Sequence, residues 1–345
     1  MLMFAGLLGL MAAGAAAMVV FDDDTSQVED DQMGAQREEA EPLSEEEAAQ
    51  NLVDLVEGGS EPTADLSIGV EQEDLMADEA ENQIIGGTGQ ADDIDGGAGH
   101  DQINGYAGND TLEGLVGEDH LYGDAGADVL SGGGDADILH GESDNDTLLG
   151  GEGNDSLFGH FGADVLDGQT GADSLHGGFG DDTLDGGADA DALHGGYDDD
   201  LLSGGEGEDT LFGGEGDDLL YDGDAQVDFL NGGDGDDTII AGQSDILTGG
   251  SGQDSFCLAD WQSGGESVII MDFNVEEDQL VFLKDDIEDD NPTFEIEQDR
   301  DRPNQSRVFL DGEQVALINS IGEFSAENIS YAPNQILDHV GPVRS

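Results

Sequence analysis

From Gly96 to Tyr221 the chain repeats every nine residues, fourteen times without an insertion or deletion. Each unit opens with Gly, carries Asp at its sixth place and places an aliphatic residue at its eighth. The sixth places are Asp101, Asp110, Asp119, Asp128, Asp137, Asp146, Asp155, Asp164, Asp173, Asp182, Asp191, Asp200, Asp209 and Asp218. The eighth is Ile103 in the first unit and Leu in every later one, from Leu112 to Leu220. Looser copies flank the array, at 86–95 before it and at 222–231, 232–240, 241–248 and 249–257 after it.

A unit such as Gly150-Gly151-Glu152-Gly153-Asn154-Asp155-Ser156-Leu157-Phe158 divides into a polar half of six residues and an alternating half of three. Glycines at the first, second and fourth places tolerate positive φ and let backbone carbonyls crowd together, which predicts a turn. The last three residues alternate as a short strand does, with the eighth side chain pointing inward. One such strand cannot bury its Leu alone, whereas stacked copies line all of them into a continuous column. The expected product is an all-β chain built on a parallel β-solenoid. With two units per coil the array makes seven coils, or about nine with the looser copies, roughly 43 Å at ~4.8 Å per layer.

That column is thin. Burying one Leu is worth ~1.5 to 3 kcal/mol, against ~1 to 2 kcal/mol of backbone entropy for each residue fixed. Charge opposes folding further, because the formal net charge is −78 and no Lys or Arg occurs between Glu38 and Leu283. Cations must come from outside the sequence. Asp carboxylates with turn carbonyls, and without organised Cys or His, form an oxygen donor set that suits Ca²⁺; Mg²⁺ demands a stricter octahedron and holds its waters. A disordered acidic tract would not need Leu at every ninth place.

The pattern Gly-Gly-x-Gly-x-Asp-x-U-x, with U large and aliphatic, resembles the nonapeptide of the RTX, or hemolysin-type calcium-binding, family. The resemblance covers about half the chain. It implies a right-handed parallel β-roll in which several Ca²⁺ ions sit between turns stacked one coil apart. Their ligands would be the sixth-place Asp side chains, with Asp237 and Asp254 added from the looser copies, and turn carbonyls such as those of Gly97, Gly99, Gly151, Gly153, Gly178, Gly180, Gly205, Gly207, Gly214 and Gly216. Asp137 with Asp155, Asp164 with Asp182 and Asp200 with Asp218 are pairs of this kind. Some units depart from the pattern, with Tyr106, Leu115, Asp124, Glu142, His160 and Gln169 at the second place and Asp135, Asp144, Asp189 and Asp198 at the fourth. The family also implies export, with type I secretion machinery as a partner.

Four segments are expected. Residues 1–21 are apolar and long enough to cross a bilayer as a helix, yet no Lys or Arg precedes them and Ala15-Ala16-Ala17 offers a cleavage site, so membrane anchor and signal-like segment are both open. Residues 22–83 read as an acidic linker, in which Ser44 and Glu47 could cap a transient helix. The roll occupies 84–257, and 258–345 reads as a β-rich cap and secretion region. In that cap strands are expected at Ser267 to Phe273, Gln279 to Lys284, Thr293 to Glu297 and Arg307 to Leu317, the last turning at Asp311-Gly312.

Catalytic patterns are missing. The chain has no His-Glu-x-x-His, no Gly-x-Ser-x-Gly, and a single cysteine, Cys257, that reads as a strand residue. The charge excludes nucleic acid as a partner. At the ninth place of alternate units stand Tyr122, His140, Phe158, His176, His194 and Phe212, a column on one outer sheet. Cross-layer stacking explains it most simply; a stripe for a surface polysaccharide or protein partner, or a weak transition-metal site at His176 and His194, are the alternatives. The expected function is an exported, non-enzymatic, calcium-binding protein localised outside the cell or on its surface. An accessory or targeting module for an exported hydrolase, and a cell-surface structural or adhesive protein, are the competing readings.

Overall fold

The computed structural model describes residues 82–259, 266–284 and 293–333. The apolar segment 1–21, the capped helix near Ser44 and all but the last two residues of the linker lie outside the described residues. Among the described residues no helix is long and apolar enough to cross a membrane, and the helical content is one 3₁₀ turn, Ala326–Asn328.

The fold is a parallel β-roll. The strands lie in two sheets, one of fourteen and one of twelve, and from Ile84 to Lys284 successive strands alternate between them, each pairing in parallel with the next but one in the chain. Leu166 lies level with Leu148 on one side and Leu184 on the other, so two units complete each coil. The column of Leu residues is fully buried between the sheets.

Within the array most strands are twice as long as expected. They run six residues, as in Ser156–Phe161, from the seventh place of one unit to the third of the next. Two side positions therefore face inward, the eighth and the first. The first-place glycine is not there for positive φ: a Cβ on Gly150 would lie 2.5 Å from Asp155 Oδ2 and 2.8 Å from the Gly168 carbonyl oxygen. Only a residue without a side chain leaves room for the carboxylate.

The second and fourth places do take left-handed backbone, at φ 119° and 155° for Gly151 and Gly153. The departures from glycine obey the same geometry, with Tyr106 at 74°, Leu115 at 79°, Glu142 at 82° and His160 at 77°. A non-glycine residue there costs roughly 1–3 kcal/mol, so the stacked register imposes the conformation on residues that disfavour it. Crowding explains the glycines that remain, since a Cβ on Gly171 would run into the Gly153 carbonyl one coil below.

Beyond Tyr221 the coil length changes and recovers. Leu211 pairs with Leu230 and Leu220 with Ile239, a spacing of nineteen; Leu230 then pairs with Leu247 and Ile239 with Phe256, a spacing of seventeen. The ten-residue copy 222–231 and the eight-residue copy 241–248 compensate, and the apolar column stays in line.

Both sheets continue past Cys257 through Val268–Asn274 and Gln279–Lys284 to Glu313–Ile321 and Ile329–Pro333, so the roll exceeds the nine coils counted from the repeats. The expected hairpin forms: Gln305–Leu310 and Glu313–Ile321 pair antiparallel around Asp311 and Gly312, both at positive φ. Phe294–Gln298 adds the last strand of its sheet.

Candidate metal centre

All sixteen aspartates predicted as ligands are buried, none more than 3% exposed. They form two ladders, one along each edge of the roll. In each, the backbone N–H of one Asp donates to Oδ1 of the Asp one coil on: Asp137 to Asp155 at 2.8 Å, Asp155 to Asp173 at 2.7 Å, Asp164 to Asp182 and Asp182 to Asp200 at 2.8 Å. This bond fixes the rotamer of every carboxylate and uses only one of its oxygens.

The other oxygen has no hydrogen-bond partner. Oδ2 is buried and orphaned in Asp101, Asp110 and every later sixth-place Asp through Asp254. An ionised oxygen buried without a donor is costly, and a file of them more so: at ~4.8 Å spacing and an effective dielectric of ~20, neighbours repel by about 3.5 kcal/mol per pair. Burial, with the adjoining carboxylates, pushes Asp137, Asp146, Asp173 and Asp182 up to about 7 and Asp191 and Asp200 to about 8, although the amide bonds to Oδ1 oppose the shift. Protons or a cation must answer this charge.

Carbonyl oxygens converge on the same turns. Second-place and fourth-place carbonyls of one coil abut the same places of the next, Gly133 against Gly151 and Asp135 against Gly153. The first-place carbonyl of Gly168 lies over Gly150, beside Asp155 Oδ2. The predicted ligand glycines occupy these places: Gly97, Gly99, Gly178, Gly180, Gly205, Gly214 and Gly216 all have positive φ, and a Cβ on Gly207 would strike the Asp189 carbonyl. Orphaned carboxylate oxygens amid stacked carbonyls, with no nitrogen or sulfur, fit a hard cation that accepts many oxygens at flexible geometry, which is Ca²⁺.

The ladders extend beyond the predicted residues. Asp209 N–H donates to Asp228 Oδ1 at 2.8 Å, Asp228 to Asp245 at 3.3 Å, and Asp254 to Asp278 at 3.2 Å. Asp228 and Asp245 stand in the copies of irregular length, where strict nine-residue counting fails; the local string Asp-x-aliphatic, as Asp228-Phe229-Leu230 and Asp245-Ile246-Leu247, marks them. Asp222 is another buried carboxylate, and with Asp209 and Asp228 it brings three carboxylate oxygens within 4.8 Å of one another. Burial first, then the Asp228 charge, raises its pKa. The fourth-place Asp135, Asp144, Asp189 and Asp198 are exposed, and so contribute carbonyls to the stack rather than buried carboxylates.

The RTX calcium-binding nonapeptide repeat family, with four copies to each match, matches residues 86–121, 113–148, 140–175, 158–193, 185–220 and 222–256. This is an RTX nonapeptide-repeat protein. Its matched stretches, about half of the 345 residues, coincide with the two Asp ladders, and the break at Tyr221 falls where the coil lengthens. The comparison with curated proteins found no match to the chain.

Outside the turns, the ninth-place column is a ring stack. Tyr122 and His140 lie 5.0 Å apart by centroid, His140 and Phe158 4.8 Å, Phe158 and His176 5.1 Å, and His194 and Phe212 5.0 Å. A second stack, unforeseen in the sequence, runs beside it at the third place: Phe161, Phe179 and Tyr197, with centroids 5.1 and 4.5 Å apart. Its signal was the aromatic residue at eighteen-residue intervals. His176 and His194 are 6.0 Å apart by centroid, and no third ligand joins them among the described residues. Cys257 is buried in the strand Ser255–Leu258, and burial pushes its thiol up to about 12, which removes it as a nucleophile.

Proposed function

We propose that this chain is an exported, non-enzymatic calcium-binding protein whose roll folds as several Ca²⁺ ions load its turns. The observation that carries the reading is the pair of Asp ladders, in which every Oδ2 is buried beside stacked carbonyls and lacks a donor. A cation there supplies the missing partner for each carboxylate and cancels the repulsion along the ladder. The sixth-place Asp residues, joined by Asp228 and Asp245, are the side-chain ligands, and the first-, second- and fourth-place carbonyls complete the oxygen set.

Export fits the same chemistry. A chain held unfolded by its own charge where Ca²⁺ is scarce suits passage through a type I secretion channel, and Ca²⁺ met outside then drives folding. The test is the number of ions held by the full chain, read by native mass spectrometry from calcium-containing buffer. Several Ca²⁺ per chain are expected, with fewer in the Asp200→Ala, Asp218→Ala double variant. A chain that retains none, or a variant with an unchanged count, contradicts the assignment.

A second reading, a cell-surface adhesive protein, is favoured by one observation. His176, Phe179, His194, Tyr197 and Phe212 line an open groove of about 830 Å³ on one sheet face, and Phe179 and Tyr197 are 47% and 44% exposed. Exposed aromatic rows of this kind commonly meet a partner. Retention of the Ca²⁺-loaded chain on cell-wall polysaccharide, lost in Phe179→Thr with Tyr197→Thr, would support it; equal retention of parent and variant would remove it.

A further inference from the structure

His140, Glu142 and His160 form a cluster beside the ring stack, in which His140 lies between Tyr122 and Phe158 and the His160 ring stands 5.3 Å from that of His140 by centroid. His140 and Glu142 are alternate residues of the strand Ile138–Ser143, so both project from the same outer face. One coil on, His160 pairs in register with Glu142. His140 Nδ1 lies 2.9 Å from His160 Nε2, His160 Nε2 lies 3.9 Å from Glu142 Oε1, and one donor atom from each of the three falls within 4.8 Å of the others. Ligands about a tetrahedral ion at ~2.05 Å are separated by about 3.3 Å, which the two shorter distances bracket. His160 and Glu142 are 37% and 41% exposed by side chain, so an ion reaches them from solvent.

We propose that His140, Glu142 and His160 bind one divalent transition-metal ion of the zinc type, on the outer face of the roll and separate from the calcium ladders. Two imidazoles and one carboxylate are a borderline-soft donor set, chemically distinct from the all-oxygen turns, and three protein ligands leave a fourth position for water. The placement of two ligands is telling. Glu142 and His160 both occupy second places, where φ is 82° and 77° and where glycine is the repeat's own residue. Replacing either by Gly therefore restores the repeat pattern and relieves backbone strain while deleting a ligand, and His140→Phe copies Phe158 and Phe212 in the same column.

The experiment titrates Zn²⁺ into the full chain in saturating Ca²⁺ by calorimetry, with Co²⁺ absorption as a second readout, for the parent, His160→Gly, Glu142→Gly, His140→Phe and, as control, His194→Phe. The parent and the control should bind one equivalent of Zn²⁺ and give an intense visible Co²⁺ band of tetrahedral type. Each of the three ligand variants should lose affinity at least roughly tenfold, about 1.4 kcal/mol, with an unchanged Ca²⁺-dependent circular dichroism spectrum. No saturable Zn²⁺ binding by the parent in excess Ca²⁺, or equal affinity in parent and ligand variants, would overturn the proposal.

Discussion

Between Gly96 and Tyr221 every coil of the roll buries two aliphatic side chains together with two aspartates, whereas the region from Val268 to Pro333 closes the same two sheets with Phe273, Phe282, Ile270, Val308, Ala316 and Ile318. In the second region Phe273 meets Phe324 edge-on at 5.2 Å, and Phe282 packs against Phe294 at 5.1 Å. Among the described residues its one buried carboxylate is Asp278, the terminus of a ladder, and two of its basic residues, Arg302 and Arg307, each lie 3.6 Å from Asp299. One architecture is thus held by two chemistries. In the C-terminal region apolar side chains supply the core; in the array buried carboxylates share it, and the proposed function makes that part of the roll depend on Ca²⁺.

The contrast breaks most sharply if ladder carboxylates are removed. Asp200→Ala with Asp218→Ala takes two ligands from adjacent coils, each removal worth about 3–5 kcal/mol by analogy with breaking a buried ion pair. The Ca²⁺ midpoint for folding, followed by circular dichroism, should rise by roughly a hundredfold or more. Glu295→Ala with Glu297→Ala, which removes the same charge from exposed cap positions, should leave it unchanged. Equal shifts in the two double variants would mean that bulk charge, not register, controls folding.

Proton linkage separates the regions next. Folding raises the ladder carboxylates above their ordinary value of 3.8, to about 7 for Asp137 and Asp237 and about 8 for Asp191. A raised pKa stabilises the folded state below the unfolded value and loses that contribution as pH climbs through the folded one. In chelator the array should therefore hold more β-structure near pH 5 than near pH 8. With calcium the dependence should reverse, because protons compete for the same oxygens. A chelated chain that gains structure as pH rises would count against the ladders as the titrating groups.

Smaller effects sharpen the comparison. In saturating Ca²⁺, Leu157→Ala should cost about 2–5 kcal/mol, since the emptied site sits between identical neighbours that cannot collapse into it. Its melting curve should shift while the calcium count stays the same; a lost ion would show that the Leu column and the turns are not independent. Leu115→Gly acts in the other direction. At φ 79° and 41% exposed, Leu115 is strained and contributes little burial, so glycine should stabilise the array by about 1 kcal/mol, seen as a higher melting temperature. A lower one would assign Leu115 a packing role.

Much of this was legible in the sequence because register is a sequence property. The period of nine with an inward aliphatic at the eighth place predicts stacked parallel turns, and the resemblance to the RTX nonapeptide implies the eighteen-residue pairing of Asp137 with Asp155; the register of Leu166 with Leu148 and Leu184 bears out two units per coil. The role of the first glycine was not legible: its requirement is the Asp155 carboxylate above Gly150, a contact between residues that only the folded turn brings together. Asp228 and Asp245 escaped because the roll tolerates a coil one residue long and then one residue short, which a fixed period does not describe. The His140, Glu142 and His160 cluster was hidden for a similar reason. It joins a ninth place to a second place on the neighbouring coil, across two columns that a single-column reading keeps apart.

The dependence of the array on Ca²⁺ is tested most directly by a calcium titration of the full chain stripped of divalent ions, followed by hydrogen exchange with peptide-level resolution. Amides between Ile84 and Leu258 should be unprotected in chelator and become protected together over a narrow range of Ca²⁺, with Mg²⁺ at the same concentration ineffective, while those between Val268 and Pro333 change less. Array amides that remain fully protected in excess chelator would contradict it, because the roll would then stand on its Leu column alone.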